Sequence, residues 1–109
     1  MANVYKVLAQ SNPAATTATT LYTAPSATST VVSTITVCNQ AASAATYRIA
    51  VRPAGATLAT QHYLAYDVAI AANDTTALTL GITLATTDII TIYASSATMS
   101  FSAFGSEIV

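Results

Sequence analysis

Between residues 31 and 53 the chain alternates in a way that predicts two strands. Val31, Ile35 and Val37 fall two or four residues apart and share a face that Ser33 and Asn39 continue, while Val32, Thr34, Thr36 and Cys38 point the other way. Further on, Tyr47, Ile49 and Val51 share one face, and Thr46, Arg48, Ala50 and Arg52 share the opposite one. Period-2 alternation of β-branched and aromatic residues marks a half-buried strand. The small and polar residues from 39 to 45 read as a short connection. Residues 31–53 are therefore expected to form a central hairpin against which the rest of the chain is laid.

The same reading extends outward. Residues 3–10 predict a first strand, with Val4, Lys6 and Leu8 on one face and Tyr5, Val7 and Ala9 on the other. Residues 11–20, SNPAATTATT, are low in complexity and form a surface loop or an extended arm. A short strand over 21–24 stops at Pro25, and Arg52-Pro53-Ala54-Gly55 is a turn, since Pro fixes φ and Gly permits positive φ. Over 58–70, His62, Leu64, Tyr66, Val68 and Ile70 make a long series on one face. Turns at 71–74, 86–88 and 95–98 separate alternating segments at 76–80, 82–84, 89–94 and 99–104. No segment sustains a helical period, and residues 78–91 are where a short helical turn fits best. The pattern predicts one all-β domain over residues 1–109, an antiparallel β-sandwich of about eight strands, jelly-roll or immunoglobulin-like. Its expected core is Val31, Ile35, Val37, Tyr47, Ile49, Val51, Leu64, Tyr66, Val68, Ile90, Ile92 and Phe101. Where both faces are apolar, as at Ile89 and Ile90, the second face is expected to meet another subunit.

Composition changes this picture in one respect. Only 6% of the 109 residues are charged, against about a quarter in an ordinary soluble domain. With a formal net charge of −1, little repulsion keeps copies apart. Such a surface reads either as one taken up by neighbours in an assembly, which is the expectation here, or as a neutral, Thr-rich β surface that is soluble anyway. The elements expected to contact those neighbours are the 11–20 arm, with Pro13, Thr16 and Thr17, and the strand face carrying Arg48 and Arg52. Those two arginines stand about 13 Å apart at strand rise. They read either as contacts to a neighbouring subunit or as charges with a cross-strand partner such as Asp67.

Charge also excludes. Three basic side chains make no stripe for phosphate contacts, so no nucleic-acid partner is expected. No apolar run reaches the roughly 20 residues that span a bilayer, and the MANVYKV start does not read as a secretory signal. The single Cys38 has no internal disulfide partner and is expected to be an inert packing residue, in a protein made in a cytoplasm.

Candidate chemistry is sparse. His62 is the only histidine, so any Ser-His-Asp arrangement would run through it. Its place at the start of an alternating strand reads as structural. Asp67, Asp74, Asp88 and Glu107 are scattered without metal-ligand spacing, and Asp74 and Asp88 read as turn residues bonding their own backbone. No catalytic residue, cofactor or metal is expected. The tyrosines read as core or interface material, and the irregular Thr-x-Thr pairs lack the fixed period an ice-binding grid needs.

Several stretches carry a likeness in order along the chain: NVYKVLAQSNPAATTATTLYTAP, VVSTITVCNQ with ATYRIAVRPAGA, QHYLAYDVAI, and NDTTALTLGITLATTDIITIYASSATMSFSAFGSEI. In this order they resemble a family of small virion structural proteins of tailed bacteriophages, cyanophages among them. The resemblance implies a β-sandwich present in many copies, and it carries over no catalytic residue. It implies a capsid decoration, or cement, protein on the head, in contact with the major capsid protein, or alternatively a neck, tail or fibre component. A homo-oligomer is expected, a trimer because capsid surfaces offer three-fold positions. The class outside this family is a free carbohydrate- or ice-binding β module.

Overall fold

A computed structural model describes residues 2–109. The strands are β1 (Asn3–Ser11), β2 (Thr19–Thr23), β3 (Ser29–Asn39), β4 (Ala45–Arg52), β5 (Tyr63–Ile70), β6 (Asp74–Leu78), β7 (Ile82–Leu84), β8 (Ile89–Ala94) and β9 (Met99–Ile108). Antiparallel pairing makes two sheets. One runs β1-β9-β3-β6, with β7 also on β3, and the other runs β2-β8-β4-β5. Because β6 and β7 lie along β3 opposite residues 35–39 and 30–32, they fill one strand position, broken at residues 79–81.

The pairings are nested: β4 with β5, β3 with β6 and β7, β2 with β8, and β1 with β9. The chain is thus one long hairpin centred on residues 53–62. It is wrapped so that β9 also meets β3 and β8 also meets β4. This winding is the jelly-roll form of the sandwich. Short 3-10 turns occupy Pro53–Gly55 and Thr60–His62. Residues 78–91, where a helical turn was expected, hold β7 and a tight turn instead.

The expected hairpin over 31–53 does not form, because β3 and β4 belong to opposite sheets. The buried Asn39 gives the reason. Its Nδ2 donates to the carbonyls of Ser43 (2.9 Å) and Ala71 (3.2 Å). Its Oδ1 accepts from the Ala41 N–H (3.1 Å) and the Thr98 hydroxyl (3.3 Å). These groups sit in the β3–β4, β5–β6 and β8–β9 connections, each of which crosses between the sheets. At the opposite end Asp88 does similar work. Its carboxylate accepts from the N–H groups of Ala85 (2.9 Å) and Ala54 (2.8 Å), and its carbonyl accepts from Ala24 N–H (2.9 Å).

Between the sheets Ile35, Val37, Tyr47, Ile49, Ile90, Ile92 and Phe101 are buried as expected, joined by Val32, Met99 and Ala103. Tyr47 meets Phe101 edge to face, with ring centroids 6.3 Å apart. Five expected core residues fall elsewhere. Val31 and Val51 are half-buried, while Leu64, Tyr66 and Val68 are exposed. Bulges explain most of this. The β3–β9 register slips between Val32 and Thr34, so Val32 rather than Val31 shares the inward face with Ile35 and Val37. In β5 the register slips between the partners of Tyr47 and Ile49, which are Val68 and Ala65. Asp67 has φ 50° at that point. The extra residue turns Leu64 and Tyr66 outward while Ile70 stays in the core. Val68 keeps the inward parity of Tyr47 but stands on an edge strand, where cover is incomplete. The outward Ile89 is half-buried and approaches Gly55 in the turn after β4, so its own chain covers part of it.

Residues 11–20 form a pinned loop, not a free arm. Ser11 closes β1, β2 begins at Thr19, and Pro13 is buried. Asn12 Nδ2 donates to the carbonyls of Ala97 (2.9 Å) and Met99 (2.6 Å), and Thr16 N–H donates to Ala94 O (2.8 Å).

Two substitutions test this framework. Asn39→Ala strands buried donors and acceptors in three connections and is expected to lower the unfolding free energy by about 2–4 kcal/mol. Gly105 faces the bulge in β3, where a Cβ would overlap the Val31 carbonyl oxygen. Gly105→Ala is therefore expected to cost about 2–3 kcal/mol. Urea unfolding curves measure both, and a neutral result in either would contradict the corresponding contact.

Candidate functional site

The outer face of the β2-β8-β4-β5 sheet carries the densest group of polar and aromatic side chains. In β4, Arg48 points outward opposite Tyr93 of β8. Across from it on β5, the bulge sets two residues, Tyr66 and Asp67, against one. Both therefore reach the same guanidinium. Arg48 Nε donates to Asp67 Oδ1 at 2.6 Å and Nη2 donates to Oδ2 at 3.3 Å. The guanidinium carbon stands 4.2 Å from the ring centroids of both Tyr66 and Tyr93, a cation–π arrangement. The Asp67 hydrogen bonds push the already high pKa of Arg48 further up, against the opposing effect of burial, so its charge is permanent.

Tyr66 also meets Tyr63 edge to face, with centroids 4.9 Å apart. Thr60, Tyr63 and Tyr66 line a shallow cleft of about 280 Å3. Arg52, at the far end of β4, turns away from this group. It donates to Thr91 Oγ1 (3.0 Å), Gly55 O (3.4 Å) and Ala56 O (3.0 Å). Each arginine thus has partners within its own chain. Of the loop residues, Pro13 is buried, and Thr16 and Thr17 are exposed. Thr16 sits beside Ala94, the residue after Tyr93, so the loop and Arg48 flank the same end of β8.

A second polar group lies between the sheets. Glu107 of β9 is buried, and its carboxylate accepts from the Tyr22 hydroxyl at 2.5 Å and pairs with Lys6 Nζ at 2.9 Å. The Tyr22 hydroxyl also lies 2.9 Å from Thr30 Oγ1. Tyr22 belongs to one sheet and Glu107, Lys6 and Thr30 to the other, so the group ties the layers together. Burial, then the carboxylate, raises the Tyr22 pKa to about 12. Hydrogen bonds from Tyr22 and then Lys6 lower that of Glu107.

The remaining reactive side chains are committed locally. His62 Nδ1 accepts from Ala59 N–H at 3.0 Å, and Asp74 Oδ1 accepts from Thr75 N–H at 2.8 Å. Cys38 is a half-buried free thiol. Among the described residues no three of His, Cys, Asp and Glu group as metal ligands, and no helix is long and apolar enough to cross a membrane.

What the alternation did not reveal is the exposed apolar set. Val4, Tyr5 and Val7 stand out on β1, and Leu64, Tyr66 and Val68 on β5. Both are edge strands. Apolar residues on both faces of residues 3–10 were the available signal. No protein-family model matches the chain, and comparison with curated proteins and with solved structures gives no significant match.

The Tyr22–Glu107 bond predicts a stability limb at high pH. Tyr22 rises on folding from 10.0 to about 12, so its contribution is complete below pH 10 and is lost as pH climbs through 12. That change amounts to about 2–3 kcal/mol. The Glu107 contribution runs oppositely, complete above the ordinary carboxylate range and lost as pH falls below it. Unfolding free energies of the wild type and Tyr22→Phe, compared between pH 10 and 12, should converge as pH rises. A constant gap would contradict the coupling.

Proposed function

We propose that this chain is a non-enzymatic structural protein of a virion, a multi-copy decoration protein on the head of a tailed phage that binds the major capsid protein. The observation that carries the assembly reading is the division of labour on the surface. All three basic and four acidic side chains have partners within the chain: Lys6 with Glu107, Arg48 with Asp67, Arg52 with Thr91 and the 55–56 carbonyls, and Asp74 and Asp88 with main-chain N–H groups. Of the large apolar and aromatic side chains that remain exposed, Val4, Tyr5, Val7, Leu64, Tyr66 and Val68 lie on the edge strands β1 and β5, and Leu80 and Val109 lie outside the strands. Exposed apolar groups on a nearly uncharged surface mark contacts with other proteins. The virion placement rests on the sequence resemblance, with which a jelly roll agrees by fold analogy alone.

A neck, tail or fibre position is the neighbouring reading, and copy number separates them. Quantitative mass spectrometry of purified particles should find the chain at a stoichiometry comparable to the major capsid protein. A copy number near that of a neck or fibre ring would move it off the head. Absence from particles would overturn the virion reading. The cleft at Thr60, Tyr63 and Tyr66 favours a carbohydrate-binding module as a second reading, since exposed aromatic rings stack on sugar faces. A glycan array that returns a specific ligand, lost in Tyr66→Ala, would establish it.

A further inference from the structure

The four outer positions of the two sheets differ in how they are closed. An exposed sheet edge invites another strand, and proteins usually blunt it by shortness, bulges, Pro or charge. β2 is five residues long, with a register slip between Thr20 and Tyr22. The β6–β7 position is broken in the middle, and β5 is bent by its bulge at Asp67. Residues 3–7 of β1 carry no Pro and no bulge, since the register slip of β1 comes after Val7, and Lys6 is their only charge. Their register against β9 is continuous from Asn3 to Val7, every one of them is exposed, and Tyr5 is 80% exposed. The one charge there, Lys6, is balanced by Glu107 of the same chain.

The ladder also fixes which groups are free. Ala2 and Val109 exchange both main-chain hydrogen bonds, at 2.8 and 3.0 Å. Counting by twos along an antiparallel pair, Val4 and Lys6 bond to β9. The N–H and C=O groups of Asn3, Tyr5 and Val7 therefore point away from the sheet. We propose that β1 pairs antiparallel with β1 of a second copy about a two-fold axis at Tyr5, joining the β1-β9-β3-β6 sheets of two copies into one continuous sheet. In this register Tyr5 faces the partner copy's Tyr5, and Asn3 faces its Val7. The free backbone groups of all three residues are then satisfied in both copies.

Pairing of all three free residues within β1 favours the register centred on Tyr5, and charge excludes the one centred on Lys6. Centring the pair on Tyr5 sets Lys6 opposite Val4 of the other copy. Centring it on Lys6 would place two lysines in a non-hydrogen-bonded pair, where side chains come closest and like charges repel. The segment is also complementary to itself: both of its faces are apolar, at Val4 on one side and Tyr5 and Val7 on the other. An isologous two-fold contact needs that property. The proposal stands on this edge alone and holds whether or not the protein resides in a virion.

Light scattering coupled to size exclusion tests it on the intact protein. The wild type should have the mass of a dimer. Tyr5→Lys sets like charges face to face at the axis and should halve that mass, with the circular-dichroism spectrum and unfolding midpoint unchanged, since the side chain is exposed. Tyr5→Cys in a Cys38→Ser background should cross-link as a dimer with a short bis-maleimide reagent, because the paired Cα atoms stand about 5.5 Å apart and the two thiols face each other at the axis. A wild-type monomer, a trimer, a dimer that survives Tyr5→Lys, or a cysteine variant that fails to cross-link would overturn the proposal. None of these outcomes bears on the copy number in particles, which tests the virion placement separately.

Discussion

The fold depends on a single buried amide. Two sheets facing each other pack well through their middles, where Ile35, Ile49, Ile92 and Phe101 exclude water. The open ends are harder, because the chain must cross between layers there with its backbone groups still satisfied. Asn39 supplies what three such crossings lack, donating twice and accepting twice. An Asn side chain carries both functions on one planar group. Neither a hydroxyl nor a carboxylate could do the same without leaving a partner empty. Asp88, which needs only to accept, serves the less crowded end.

The strands were legible in the sequence because alternation reports burial residue by residue. The faces were legible only until a bulge intervened. At Ser33 and at Asp67 one extra residue inverts the parity of the residues next to it, and a further slip between Ala65 and Tyr63 inverts it again in β5. This is why Ile35 and Ile49 fell where the pattern placed them and Leu64 did not. Pairing was less legible still. The 40–44 connection has the length of a hairpin loop, and its character as an arch comes from hydrogen bonds to residues as distant in sequence as Ala71 and Thr98. Nested pairing about residues 53–62 is a property of the whole chain that no local window contains.

The candidate surface shows the same division. The scarcity of charge, visible at once, becomes meaningful only when each charge is seen to be engaged. Arg48 illustrates this: the alternative with Asp67 as partner was readable from the strand pattern. The two tyrosines around the guanidinium were not, because Tyr66 reaches it only through the bulge. Residues 11–20 read from their low complexity as a surface loop or an extended arm, and what makes them a loop, the bonds of Asn12 and the Thr16 N–H to the ends of β8 and β9, lies far off in sequence.

Nested pairing also sets an order of events in time. Closing a short loop costs less entropy than closing a long one, so β4 and β5, joined through residues 53–62, can meet first. Each completed pair then brings the next two segments within short reach, and the ladder grows outward like a zip. β1 meets β9 only after everything inside has formed, since the two are the most widely separated partners in the chain. The unblunted edge is therefore the last surface to exist. Until β1 arrives the sheet ends on β9, so the edge of an incomplete copy matches β1 and not a second finished copy, and the symmetric contact becomes available only when each chain is complete.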